Sequence, residues 1–192
     1  SAILSGLVGS EMCIRDRLIN ITKESGAFKT GKFVLSSGKE SSIYFDGRIT
    51  SLLPESLEII SEILFEDIKK HSIDVIAGPT LGADAIVAGV LMIAAREKFK
   101  LKGAIVRKET KTHGTGKMVE GNYVEGDKVL VVDDTCTTGG SVLFAARIME
   151  ENKCVVTEIR CVLDRNEGGK QLIEGMGYGF SSILQVKNGK LI

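Results

Sequence analysis

The thirteen residues Val129-Leu130-Val131-Val132-Asp133-Asp134-Thr135-Cys136-Thr137-Thr138-Gly139-Gly140-Ser141 constrain the fold more than any other stretch. Val129, Leu130, Val131 and Val132 follow one another without a polar alternate. That pattern fits a strand buried on both faces, which in turn calls for a parallel sheet covered by helices on either side. Asp133 and Asp134 then fall at the carboxyl end of the strand, where open α/β sheets bind their ligands. Adjacent carboxylates at a buried strand end repel each other, so they need a partner to justify them. The Thr/Gly-rich residues that follow offer hydroxyls, backbone N–H groups and the start of a helix, a combination suited to a phosphate. Hydroxyls for the acids and a phosphate for the loop together describe a phosphorylated sugar.

The rest of the chain agrees with a single α/β domain. A short helix is expected over residues 18–25, ended by Gly26, and a β-hairpin over 32–46 with a Ser-Ser-Gly-Lys turn. Pro54 opens a helix to Lys70 with Leu57, Ile60, Ile63, Leu64 and Ile68 on one face. Strands are expected at 73–77, 103–106, 129–132, 155–163 and 179–184. Helices are expected at 83–99, 141–152 and 168–174. This alternation predicts a doubly wound, mainly parallel sheet flanked by helices, with a small N-terminal hood over residues 18–50. Residues 1–17 fit no amphipathic pattern and lack the basic start of a signal peptide, so they are expected to be a non-native or disordered leader before the 18–192 domain.

Composition narrows the function classes. The 192 residues carry zero formal net charge, which disfavours a broad nucleic-acid or membrane surface. No apolar run approaches the roughly 20 residues that span a bilayer. The four cysteines (Cys13, Cys136, Cys154 and Cys161) form no CxxC, and with only His71 and His113 no zinc spacing arises. Reduced thiols in the cytoplasm are the simple expectation.

A second informative stretch begins at Arg107. It holds three cations (Arg107, Lys108 and Lys111) before His113, and Gly114 and Gly116 after it. It follows a buried strand and lacks any periodicity for about 16 residues, a length that compact domains usually reserve for function. Its cations suit closure upon an anion.

These residues carry a resemblance. Val129 to Ser141 is similar to the phosphoribosyl-diphosphate (PRPP) binding motif of type I phosphoribosyltransferases. Arg107-Lys108, Lys111 and His113-Gly114 resemble the R-K-x-x-K-x-H-G loop of the orotate-using members. Thr80, Leu81 and Gly82, in a turn after a strand, look like the family's pyrophosphate loop. Ser36 with Tyr44 and Phe45 looks like its hood over the base, and Asp164-Arg165 like its orotate-contacting pair. The resemblance covers nearly the whole chain, roughly residues 18–186. It departs at Ser36 and Gly82, where some orotate enzymes carry lysine.

The resemblance implies transfer of the 5-phosphoribosyl group from PRPP to orotate, giving orotidine 5′-phosphate and pyrophosphate, as in pyrimidine (UMP) biosynthesis. Asp133 and Asp134 would face the ribose hydroxyls, and Thr135, Cys136, Thr137, Thr138, Gly139, Gly140 and Ser141 the 5-phosphate. Arg107, Lys108, Lys111 and His113 would close over the pyrophosphate. Arg165, Thr137, Tyr44, Phe45 and Ser36 would hold orotate. Mg²⁺ would bind pyrophosphate and ribose hydroxyls, with Asp133 or Asp134 reaching it through water. A homodimer in which each lid completes the partner's site is implied too. The PRPP motif does not separate orotate from adenine, hypoxanthine or xanthine. The cationic loop and Arg165 favour the anionic pyrimidine. A non-enzymatic PRPP-sensing regulator is the rival of a different class.

Overall fold

A computed structural model describes residues 9–34, 38, 40–109 and 117–192. Its centre is a seven-stranded sheet in the order β5-β4-β3-β6-β7-β8-β9. These strands are β3 (Val75–Pro79), β4 (Lys102–Val106), β5 (Val119–Gly121), β6 (Lys128–Cys136), β7 (Val155–Asp164), β8 (Gly179–Lys187) and β9 (Lys190–Leu191). The five inner strands run parallel, and β5 and β9 close the edges antiparallel. The mainly parallel α/β sheet expected from the sequence is therefore present.

The apolar run of β6 is buried on both faces, and its residues alternate between two cores. Leu130 and Val132 join Ile76 of β3 in one core, under α3 (Pro54–His71) and α4 (Asp84–Arg96). Val129 and Val131 join Val75 and Ala77 in the other, under α5 (Gly140–Glu151). Burying both faces of a strand removes the need for polar alternation, which is why the run reads as continuous. Pro54 starts α3 and Ser72, in the left-handed region at φ 53°, ends it with its N–H on the carbonyls of Ile68 and Lys69. Gly89 lets α4 approach α3 closely, since a Cβ there would lie 2.4 Å from Ser61 Oγ.

Strand order explains where the ligand edge opens. After β3 the chain crosses through α4 to β4, and after β6 it crosses through α5 to β7, in the opposite direction and on the other face. The switch point therefore lies between β3 and β6. β3 pairs with β6 only as far as Ala77↔Val131, while β6 continues along β7 to Cys136↔Asp164. The gap between the two strands begins one residue before the acid pair.

The hood is a two-stranded antiparallel sheet, β1 (Phe28–Val34) with β2 (Glu40–Phe45), followed by a short helix α2 (Gly47–Ser51).

Several elements differ from the sequence reading. Asp133 and Asp134 lie within β6 rather than beyond it, because β7 keeps pairing with them. Val119–Gly121 forms β5 within the stretch read as loop, with Gly121 at φ 127° passing so close to β4 that a Cβ would lie 2.2 Å from Gly103 O. The first helix, α1 (Gly9–Glu24), begins well before residue 18. Ile14 packs partly against the core, so residues 9–17 continue that helix rather than standing apart.

Candidate active site

Asp133 and Asp134 occupy a cleft between the end of β6 and the turn after β3. Asp133 is 6% exposed, and its Oδ1 accepts the Asp134 N–H at 2.9 Å. Burial, reinforced by the neighbouring Asp134 charge, pushes the Asp133 carboxyl up to about 8. Burial also raises Asp134, against a hydrogen bond from Thr135 that lowers it. Both carboxyls are raised from their ordinary range, and hydroxyl donors or a cation would favour their charged forms.

The walls of the cleft come from three other segments. Thr80, Leu81 and Gly82 form the turn after β3, Lys108 enters from beyond β4, and Arg48 reaches in from α2. Gly82 presses on the acids so tightly that a Cβ would lie 2.3 Å from Asp133 Oδ1. The missing side chain lets backbone, rather than a lysine, meet the carboxylate. Thr80 donates its hydroxyl to Asp84 Oδ2 at 2.9 Å, which anchors the turn to α4. Gly47 stands over Asp134 in the same way, with a virtual Cβ 2.6 Å from its carboxyl carbon.

A second hollow adjoins the first. It is lined by Cys136, Thr137, Thr138, Gly139 and Gly140, and it shares Thr135 and Ser141 with the acid cleft. Gly139 takes a left-handed φ of 83° as the N-cap of α5, no side chain caps that helix, and no acid stands in its first turn. The open amides there suit an anion. Gly169, at the start of α6 (Gly169–Gly175), buttresses the loop from behind: its N–H donates to Thr137 O at 3.2 Å, and a Cβ would lie 2.4 Å from Cys136 Sγ. The Cys136 side chain is buried beneath the loop, where a hydrogen bond with Cys161 lowers its thiol.

On the hood side, Arg165 leaves the end of β7 with its N–H on Cys136 O. Its guanidinium is nearly buried, with Nε on Glu167 Oε1 at 2.9 Å and Nη2 on Ser41 Oγ of the hood at 3.3 Å. Tyr44 is exposed and stacks at a tilt on Phe33. Phe45, expected beside the base, is 8% exposed and belongs to the core, because strand alternation turns it away from Tyr44. The Arg107 guanidinium lies 3.7 Å from Glu120 of β5, and Arg107 is not among the residues that line the acid cleft. Lys111, His113 and Ser36 lie outside the described residues. Sequence reasoning missed Arg48. The available signal was Asp46, an N-capping residue just before Gly47-Arg48, which marks a helix start inside what reads as hairpin exit.

Among the described residues, no group of three His, Cys, Asp or Glu side chains is placed to hold a metal. The acid pair fits a Mg²⁺ that arrives with phosphate and water oxygens, the usual habit of this ion, and does not form a closed protein cage.

The family model described as the phosphoribosyl transferase domain matches residues 50–187. A Pyrococcus horikoshii orotate phosphoribosyltransferase is 42% identical over 177 residues, covering 91% of this chain and 92% of that protein. The chain belongs to the orotate phosphoribosyltransferase family. A Methanocaldococcus jannaschii member is 39% identical over 173 residues, covering 90% and 95%. The Mycobacterium tuberculosis orotate phosphoribosyltransferase solved with Fe(III) dicitrate superposes with a TM-score of 0.78 at 31% identity, covering 90% of this chain and 97% of that one.

Proposed function

We propose that this member of the family transfers the 5-phosphoribosyl group of PRPP to N1 of orotate, releasing pyrophosphate and forming orotidine 5′-phosphate for pyrimidine synthesis. The observation that carries the reading is the continuity of the acid cleft with the uncapped α5 loop through Thr135 and Ser141. One phosphorylated sugar spans both. The Mycobacterium tuberculosis relative solved with 5-phospho-α-D-ribosyl 1-diphosphate, at TM-score 0.74 and 29% identity, supports the same ligand.

In this reading the 5-phosphate lies on the amides and hydroxyls of residues 137–141, and Asp133 and Asp134 orient the ribose hydroxyls. As the bond from the anomeric carbon to pyrophosphate lengthens, positive charge grows on the sugar. The buried carboxylates stabilise that charge without reorganising. Lys108, with Lys111 and His113 of the lid, covers the departing polyanion and excludes water, which would otherwise hydrolyse the sugar. His113 is suited to give the leaving group a proton near neutral pH. Mg²⁺ supplies charge neutralisation of the pyrophosphate when bound. Arg165 holds the orotate carboxylate by its planar fork, and Tyr44 covers the ring. Orotate N1, once deprotonated, attacks directly, so no covalent enzyme intermediate forms. The active species is a cytoplasmic homodimer in which each lid serves the partner's site.

Separation of the products tests this. Orotate, PRPP and Mg²⁺ should yield orotidine 5′-phosphate and pyrophosphate in equal amounts. Pyrophosphate released without nucleotide would make the protein a hydrolase and overturn the reading.

A further inference from the structure

The acid cleft poses an electrostatic problem. A diphosphate entering it meets Asp133 and Asp134 on one wall, and the facing turn of Thr80, Leu81 and Gly82 brings no cation of its own. Among the described residues, the cations lining the cleft are Lys108 and Arg48. Lys108 comes with the lid, but Arg48 comes from the hood's short helix and is held from an unrelated direction.

Three observations fix Arg48 in place. Asp46 grips the guanidinium with both oxygens, Oδ1 to Nε at 3.1 Å and Oδ2 to Nη2 at 3.3 Å. The same Oδ1 accepts the Arg48 backbone N–H at 3.1 Å, so Asp46 caps α2 and aims the side chain together. Gly47, the residue between them, packs on the Asp134 carboxyl with no room for a side chain, which holds the start of α2 against that acid. The side chain is 55% exposed, and among the described residues Nη1 has no partner. A pre-aimed fork with free donors, opening into a polar cleft, is the arrangement that binds phosphate oxygens bidentately. Tyr44 lies close enough to interact electrostatically with Arg48, but neither Tyr44 nor Arg165 lines this cleft, whereas Lys108 and the turn of Thr80, Leu81 and Gly82 do, which turns the free donors of Arg48 toward the diphosphate end of the ligand.

We propose that Arg48 is a diphosphate-binding residue of this site and that Asp46 is its positioning residue. This rests on the reading of the cleft as a PRPP site. It assigns part of leaving-group recognition to the hood, so the segment that covers the base also senses whether a diphosphate is present.

The test is calorimetric titration of the full chain with Mg²⁺-pyrophosphate and, separately, with ribose 5-phosphate. Arg48→Gln should weaken pyrophosphate about tenfold or more, as expected for lost charge-assisted hydrogen bonds, and leave ribose 5-phosphate unchanged. Arg48→Lys, which keeps the charge without the fork, should fall between. Asp46→Asn keeps a capping oxygen, and should raise the KM for PRPP while leaving the KM for orotate and the melting temperature alone. Equal weakening of both ligands by Arg48→Gln, or none of pyrophosphate, would overturn the assignment. Wild-type protein that binds neither ligand would instead sink the PRPP reading beneath it.

Discussion

Asp133 shows how burial at this site works against a charge. Its ordinary value is 3.8, and in the folded protein burial and Asp134 raise it to about 8. Between those values the folded state binds a proton that the unfolded state has lost. The group's contribution to stability is therefore complete below about pH 4 and disappears as the pH rises through about 8. Asp133→Asn, which cannot ionise, should flatten the decline in melting temperature between pH 5 and pH 8 in metal-free protein. A variant with the same slope as wild type would mean that Asp133 is not the group responsible. The same substitution should cost PRPP affinity, since the carboxylate whose ionisation works against the fold is the one proposed to orient the ribose.

At the scale of elements, the hood is clamped to the sheet from both ends of the site. Gly47 seats α2 on Asp134, and Arg165 donates to Ser41 of β2. Arg165 is thus a link between the phosphate loop, through Cys136 O, and the cover of the base. Arg165→Ala should raise the KM for orotate by about tenfold to a hundredfold, in line with a charged hydrogen-bonded pair, with the KM for PRPP near wild type. Steady-state kinetics with each substrate varied would check this. A rise confined to PRPP would move Arg165 off the base. Much of this layout was legible in the sequence, because the features concerned are local. The unbroken run at Val129 marked a doubly covered strand, Pro54 marked a helix start, and the Thr/Gly-rich run up to Ser141 marked another. What stayed hidden depends on partners distant in sequence. β5 exists only because β4 offers it an edge, and Asp133 falls inside β6 only because β7 extends beside it. Phe45 and Tyr44 are neighbours of one chemistry, and only the strand's orientation sends one into the core. Arg48 was invisible as a site residue because nothing local says that α2 lies against β6.

For the whole molecule, the sheet's switch point sets one end of the fold aside for the ligand, and the described residues of the acid cleft converge there from β6, the turn after β3, the chain beyond β4 and α2. The homodimer proposed above, in which each lid serves the partner's site, has a distinct signature. Lys111→Ala alone should lower kcat on the order of a hundredfold, as for loss of one charge-stabilising group. The pair Asp133→Asn with Asp134→Asn should be inactive. Mixed and allowed to exchange subunits, the two dead proteins should regain about a quarter of wild-type activity, because half the dimers are hybrids with one intact site. No recovery in exchanged hybrids would place each lid on its own subunit's site.

The most direct measurement is loss of orotate absorbance with PRPP and Mg²⁺, run beside adenine, hypoxanthine and xanthine. Consumption of orotate alone, dependent on both PRPP and metal, is the expected result. Turnover of a purine with orotate untouched would keep the fold and the sugar site while contradicting the assignment of Arg165 and the hood to an anionic pyrimidine.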